Sequence, residues 1–214
     1  MSGTTVQPAP RAISPALLDR GEQVLILALW VWLVQRVLHS LASGINPDSW
    51  LLLVSETAVM IFTLIRRPTQ AISLELGDWL LAITATAAPL LIQPAPEAIP
   101  ALRPVGVLMV LFGNLVQASA KLALARSFGI APANRGIKVS GPYRLIRHPM
   151  YGGYLWVHIG LLLLMPSALN AVIYAIGWTA QIRRLLAEEA LLGQDEAYRA
   201  YMDKVRWRLV PGLF

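Results

Sequence analysis

Six apolar runs, separated by short polar or proline-containing connections, dominate this chain. They cover residues 22–41, 50–65, 79–93, 105–125, 151–165 and 168–186. In lipid, such a run can satisfy its backbone amides only by folding as a helix, because no water is present to do so. A crossing takes about 20 residues, so six would use about 120 of the 214 available. The composition agrees: 56% of the residues are apolar and 14% charged, where a soluble domain carries about a quarter charged. A soluble globular enzyme and a disordered chain are both disfavoured. No alternating runs long enough for barrel strands are present. The predicted fold class is an all-α integral membrane protein of about six transmembrane helices, five to six in range. The run 79–93 is short, and Pro166-Ser167 breaks the last pair into a tight hairpin. Five crossings plus a re-entrant pair is therefore the nearest alternative.

Charge placement orients the helices. With the N-terminus in the cytoplasm, fifteen of the eighteen basic residues fall on the cytoplasmic side, as the positive-inside rule requires. Arg103 lies in an outside loop, and Arg36 and Lys121 lie toward span ends, where long side chains snorkel. Both termini are expected in the cytoplasm. Residues 1–21 read as a flexible tail, 22–125 as four transmembrane helices and 126–214 as a catalytic core. Small residues at Ala42 and Gly44 would suit a signal-peptide site, but Arg36 and His39 interrupt the approach to it. With no organelle signal, a bacterial inner membrane is the expected location. There is no cysteine, which excludes disulfides, thiolate catalysis and cysteine-bound zinc. The net charge of +6 is explained by topology, so no nucleic-acid partner is needed.

Most of the polar information follows residue 125. One polar segment, 129–154, precedes the last hairpin, and another, 183–214, follows it. A hairpin returns the chain to the side it left, so the two segments must lie together, flanking a pocket at the membrane–cytoplasm boundary. Arg144 and Arg147 alone could be positive-inside residues, and His148-Pro149 alone a helix start. Tyr143, Tyr151 and Tyr154 alone could be interfacial aromatics. Clustered at one interface, they point to a site. Arg184 and Glu188 are spaced i, i+4 and share a helix face, while Glu189 points about 100° away. Carboxylates this close to lipid are functional candidates.

The string Gly141-Pro142-Tyr143-Arg144-x-x-Arg147-His148-Pro149-x-Tyr151-x-Gly153 resembles the RHPxY signature of the isoprenylcysteine carboxyl methyltransferase and phospholipid methyltransferase superfamily. Glu188-Glu189 resembles its paired glutamates. Tyr198-x-x-Tyr201-x-x-x-Val205-x-x-Arg208-Leu209-x-Pro211-Gly212 resembles its usual ending. The resemblance implies methyl transfer from S-adenosylmethionine to a lipid or lipidated acceptor entering from the bilayer. It implies cofactor contacts at Arg135, Gly136, Ile137, Lys138, Tyr143, Arg147, His148, Pro149, Met150, Tyr151 and Glu188. Arg184 corresponds to the arginine that holds the acceptor carboxylate in the isoprenylcysteine branch, with Arg183 an adjacent competitor. Arg184 and Glu189 are the expected catalytic residues. If the acceptor is an amine such as phosphatidylethanolamine, it must lose a proton, and Glu189, His148 or a tyrosine could take it.

Other readings have discriminators. An NADPH-dependent sterol-type membrane reductase has a related hairpin design, but the Glu188-Glu189 pair and the short chain favour the methyltransferase. A non-catalytic membrane protein is opposed by the intact His148, Tyr151 and Glu188. No glycine-rich strand–turn–helix nucleotide motif is present, and no clustered ligand set suggests a metal site. Within the runs, Glu56 and His158 fall near mid-span, and Asn114, Gln117 and Lys121 share one helix face. Glu56 is expected to face that stripe rather than lipid, and His158 to be structural.

Overall fold

The computed structural model describes residues 15–65, 76–96, 99–124 and 139–214. Among these residues the chain is all helical. Seven α-helices are present: α1 (Pro15–Ala42), α2 (Ser49–Ile65), α3 (Leu76–Ala87), α4 (Arg103–Leu124), α5 (Pro149–Leu164), α6 (Ala168–Leu192) and α7 (Glu196–Lys204).

Each of the six apolar runs is a helix, with shifted ends. The helix α1 starts inside the stretch expected to be a tail. The third run ends α-helical structure at Ala87 and tightens into a 3-10 turn, Ala88–Leu91. Pro89 explains this, since it has no N–H to continue the α-helical ladder. The sixth run is apolar to residue 186, yet α6 continues to Leu192 and carries both glutamates with it. Two helical segments, Gln23–Ala42 and Pro100–Leu124, are long and apolar enough to cross a membrane. Ser49–Ile65, Trp79–Leu91 and Pro149–Leu164 are apolar but shorter. At 1.5 Å per residue, a 16-residue helix such as α5 spans about 24 Å against a hydrocarbon core of about 30 Å.

The packing is not that of a tight hairpin. α5 lies along α4 and α6 packs on α3, while α5 and α6 touch little. The reason is a glycine seam. A Cβ on Gly113 would come within 2.6 Å of the Gly153 carbonyl oxygen, and one on Gly160 within 2.7 Å of the Gly106 carbonyl oxygen. Small residues let two backbones approach closely, which is how helices associate where water cannot drive them together. The Gly106/Gly113 and Gly153/Gly160 pairs each span two turns on one face, so the α4–α5 contact outcompetes α5–α6. The wedge between α5 and α6 fills with aromatic side chains and a cavity.

Buried amides pin the helix ends. Asn170 is fully buried; its Nδ2 donates to Gln93 O at 2.8 Å and Met165 O at 2.9 Å, and its Oδ1 accepts from Gln93 N at 3.0 Å. Ser167 caps α6 by accepting from Asn170 N. Asn46 Nδ2 donates to Ala95 O and Leu164 O at 2.9 and 2.8 Å. Each bond satisfies a backbone group that a helix end or turn would leave unpaired. Arg103 pairs bidentately with Asp48, at 2.6 and 2.9 Å.

Arg36 and Lys121 depart from the snorkelling expectation. Arg36 lies over the Trp32 ring and donates to the carbonyls of Leu90 and Leu91. Lys121 is 0% exposed, and its Nζ donates to Gln117 Oε1 at 3.2 Å. Asn114 donates to Ser55 on α2 at 2.9 Å. The polar stripe of α4 thus faces α2, and Glu56 is buried beside it, as expected, at 4% exposure. The opposite face of α4 presents Leu108, Leu115 and Leu122, all largely exposed. Residues seven apart share a helix face, so this is an apolar stripe of the kind lipid covers.

Candidate functional site

Gly141 has φ +60, a left-handed conformation that glycine adopts without strain. It opens a 3-10 turn, Gly141–Arg144, that buries Tyr143. The Tyr143 carbonyl oxygen accepts from Tyr201 Oη on α7 at 2.7 Å. Four residues on, the chain is stitched to its own C-terminal segment. Arg147 N donates to Trp207 O at 2.8 Å and His148 N to Arg208 O at 2.9 Å. The two polar segments flanking the last two apolar helices therefore lie together, as the topology required. Pro149 occupies the first turn of α5, where a missing N–H is harmless.

Glu189 is the knot of this contact. Its Oε1 accepts from Arg147 Nε at 2.7 Å and faces His148 Nε2 at 3.1 Å; its Oε2 accepts from Arg208 Nε at 2.7 Å. Arg147 Nη1 also donates to the carbonyls of Val205 and Arg206 at 2.9 Å. Burial raises the Glu189 carboxyl, but the hydrogen bonds from His148, Arg147 and Arg208 together outweigh it and hold the group at about 2. A carboxylate with three donors and so low a proton affinity is a strut, not a base. Burial, with Glu188 and Tyr201 nearby, pushes the Tyr143 hydroxyl above its ordinary range.

Glu188 faces elsewhere. Its Oε2 accepts from Tyr151 Oη at 3.0 Å, and the Arg184 guanidinium lies 5.5 Å from the Tyr151 ring centroid. Tyr151 is followed on the same face of α5 by Tyr154 and His158. The rings of His148, Tyr151, Tyr154 and His158 succeed one another at 5.4, 6.3 and 6.1 Å. His158 stacks on Tyr174 of α6 at 4.7 Å and faces Trp178 Nε1 through its Nδ1 at 3.1 Å. If the tryptophan N–H donates, as an indole must, the second ring nitrogen of neutral His158 bears its hydrogen. Beside this ladder lies a narrow pocket, with about 20 Å³ of space open to water. Its polar lining is Glu56, Thr86, Tyr154, His158, Gln181 and Arg184.

Of the residues expected at the site, Arg147, His148, Tyr151, Arg184, Glu188 and Glu189 come together. Arg184 is buried and lines the pocket, while Arg183 is exposed; burial separates the two competing arginines. Tyr143 and Met150 instead pack with Ala82 and Ala120 in a small core cluster. Arg135, Gly136, Ile137 and Lys138 lie outside the described residues. Sequence reasoning missed Arg208 as the third donor to Glu189, although it stood in the C-terminal motif. It also missed Gln181, for which no signal existed, and the glycine seam, whose signal was the seven-residue spacing.

Among the described residues, the class defined so far is an all-helical fold with apolar outer faces and a buried cation lining an interhelical pocket. Residues 102–199 match the family model of phospholipid methyltransferases. The chain is 30% identical over 108 residues to protein-S-isoprenylcysteine O-methyltransferase A of Arabidopsis thaliana, covering 47% of this chain and 55% of that protein. It is 29% identical over 109 residues to probable protein-S-isoprenylcysteine O-methyltransferases of Oryza sativa, subspecies indica and japonica, covering 47% of this chain and 57% of each. The chain spans about half the length of the curated relatives it matches. Over its C-terminal half the chain is similar to phospholipid methyltransferases and to protein-S-isoprenylcysteine O-methyltransferases.

Proposed function

We propose that this chain is a membrane-embedded methyltransferase that moves a methyl group from S-adenosylmethionine to a lipid or lipidated acceptor with an isoprenylcysteine-type carboxylate. The observation that carries this reading is the double engagement of Arg184. It lines this pocket and also lies over Tyr151, whose hydroxyl holds Glu188. One cation thus joins the pocket to the residues expected to hold the cofactor.

The donor set fits that cofactor. Glu188 has one oxygen on Tyr151, and no cation is paired with it among the described residues. Its remaining acceptor capacity suits an ammonium group or ribose hydroxyls. Tyrosine faces suit a sulfonium, at about 1–2 kcal/mol when desolvated. In this reading Arg147 and His148 act through Glu189 to hold the wall formed with Tyr143, Pro149 and Met150. When bound, S-adenosylmethionine supplies an electrophilic methyl group. Arg184 holds the acceptor carboxylate in line with it. A carboxylate is nucleophilic as it stands, so the residues have only to align it and exclude water. Helices α1–α6 lie in the bilayer with both termini cytoplasmic; the cofactor enters from the cytoplasm and the acceptor from between helices.

A second reading, N-methylation of a phospholipid amine such as phosphatidylethanolamine, is favoured by the family matched by residues 102–199. It needs a base, and Glu56 rather than the saturated Glu189 lines the pocket. Radiolabelled methyl transfer from S-adenosylmethionine into a total membrane extract, followed by identification of the labelled species, tests both. Label in a base-labile ester supports the carboxylate, and label in a headgroup amine the second reading. Calorimetric binding of NADPH without S-adenosylmethionine sinks both.

A further inference from the structure

Arg184, Glu188 and Glu189 lie toward one end of α6, and a separate polar cavity lies at the other. Asn170, in the first turn of α6, clamps the backbone of Gln93. Gln93 lines a cavity of about 340 Å³, within the size range of small-molecule sites. Trp32, Gln35, Arg36 and His39, all from the last three turns of α1, line it as well. From Asn170 to Glu188 is about 27 Å along the helix at 1.5 Å per residue, so this cavity takes no part in the methyl-transfer site.

An arginine within a span is costly and marks a functional site by default. Arg36 has two jobs already: it donates from Nη1 to Leu91 O and from Nη2 to Leu90 O, which braces the 3-10 turn. A guanidinium has five N–H groups, so three remain, and the one on Nε is buried without an acceptor. Among the described residues no carboxylate pairs with Arg36, and none lines the cavity. The charge and the spare N–H groups call for the oxygens of an anion. Gln35, His39 and Gln93 add neutral donors, but no acid is present to hold an ammonium, so a zwitterion fits less well than an anion. Trp32 is partly exposed, and α1 also exposes Val31, Leu38 and Leu41 here. Tryptophan marks the level of lipid headgroups, and the exposed aliphatic side chains suit acyl chains.

We propose that this cavity binds the phosphodiester headgroup of an anionic phospholipid from the outer leaflet, with the phosphate oxygens on Arg36. The lipid is a bound partner rather than a methyl acceptor, because the residues expected to hold the cofactor lie at the opposite end of α6. A free phosphate ester offers Arg36 the same oxygens but no chains for the apolar surface of α1. This rests on the reading above that the helices lie in the bilayer with the N-terminus cytoplasmic, which puts the end of α1 outside.

The test titrates full-length protein in detergent with phosphatidylglycerol, with diacylglycerol of the same chains and with glycerol 1-phosphate. Native mass spectrometry reads the binding, and the melting temperature reads the stabilisation that any ligand of the folded state brings. Phosphatidylglycerol is expected to bind at least about tenfold more tightly than either control, the value of one charge-assisted hydrogen bond. Arg36→Gln should weaken it by about tenfold or more, and Arg36→Lys by less. Lys204→Gln, which removes an exposed cation on α7, should leave it unchanged. Phosphatidylglycerol no tighter than diacylglycerol, or an equal loss in Arg36→Gln and Lys204→Gln, overturns the proposal. Glycerol 1-phosphate bound as tightly as the lipid overturns it in favour of a free phosphate ester. If Arg36→Gln does not fold, Gln35→Glu decides: Gln35 is exposed, and a negative charge there should weaken the lipid by about tenfold through repulsion. Unchanged binding in that variant overturns the proposal. The chain has no cysteine, so Ser43→Cys at the end of α1 reports its side of the membrane. An impermeant maleimide should label it from outside intact cells. Labelling only after lysis overturns the topology and the outer-leaflet assignment with it, whereas outside labelling without preference for the phosphate-bearing lipid overturns the proposal alone.

Discussion

Arg147 and Glu189, forty-two positions apart, meet through a buried 2.7 Å hydrogen-bonded ion pair that holds the start of α5 against the end of α6. His148 and Arg208 complete the contact on the same carboxylate. Removing its charge leaves the buried Arg147 uncompensated, which typically costs about 3–5 kcal/mol. Glu189→Gln should lower the melting temperature in detergent by on the order of 10 °C. A melting curve within 2–3 °C of wild type, about the effect of a single kcal/mol, would show that the knot is not structural.

The same carboxyl sets an acid limit. Its folded value of about 2 lies below its ordinary 4.5. A depressed carboxylate stabilises the fold fully above the unfolded value and loses that contribution as pH falls through the folded one. The melting temperature of wild-type protein should hold down to about pH 4.5 and fall between there and pH 2, and Glu189→Gln should lack that component. Parallel pH profiles for the two proteins would contradict the assignment.

How far this was legible differs from element to element. The six helices could be read because apolar length and breaks such as Pro166-Ser167 are local. The pairing of α5 with α4 was not read from chain adjacency, which favours α5 with α6. Its cause, the close backbone approach at Gly113 and Gly153, depends on two helices meeting. His148, Tyr151, Arg184 and Glu188 were found from motif and helix spacing. The role of Glu189 was not, because its three donors come from residues 147, 148 and 208 and only the fold unites them.

The glycine seam gives a direct test. In Gly113→Ala the new Cβ meets backbone of α5 at 2.6–2.8 Å, so the two helices must separate. Overpacking of this kind costs about 1–3 kcal/mol. Gly77→Ala is the control, since a Cβ there meets nothing within 4 Å, and alanine is the better helix former. Thermal unfolding should show Gly113→Ala destabilised and Gly77→Ala unchanged or raised; the reverse order would sink the seam.

Asn170→Leu removes three hydrogen bonds from one buried side chain and strands the Gln93 amide and two carbonyls. Each unmet group costs about 1–3 kcal/mol. Faster hydrogen exchange at the Gln93 amide is expected, with a lower melting temperature. Unchanged exchange at that amide would mean the turn is held by other contacts.

Arg184 and Glu188 lie one helical turn apart on α6 and both touch Tyr151, but beyond it their surroundings differ. Glu188 accepts from Tyr151, while Arg184 lines the cavity. Their losses should therefore separate. Glu188→Ala should weaken S-adenosylmethionine binding by at least about tenfold, the value of one charge-assisted hydrogen bond. Arg184→Ala should leave that affinity within about threefold, because truncation removes no cofactor ligand in this scheme, while kcat/KM for the acceptor falls by about 100-fold or more. Calorimetry with the cofactor and initial rates with the acceptor measure the two arms independently. Equal loss of cofactor affinity in both variants would refute the division, since it would place both side chains on one ligand.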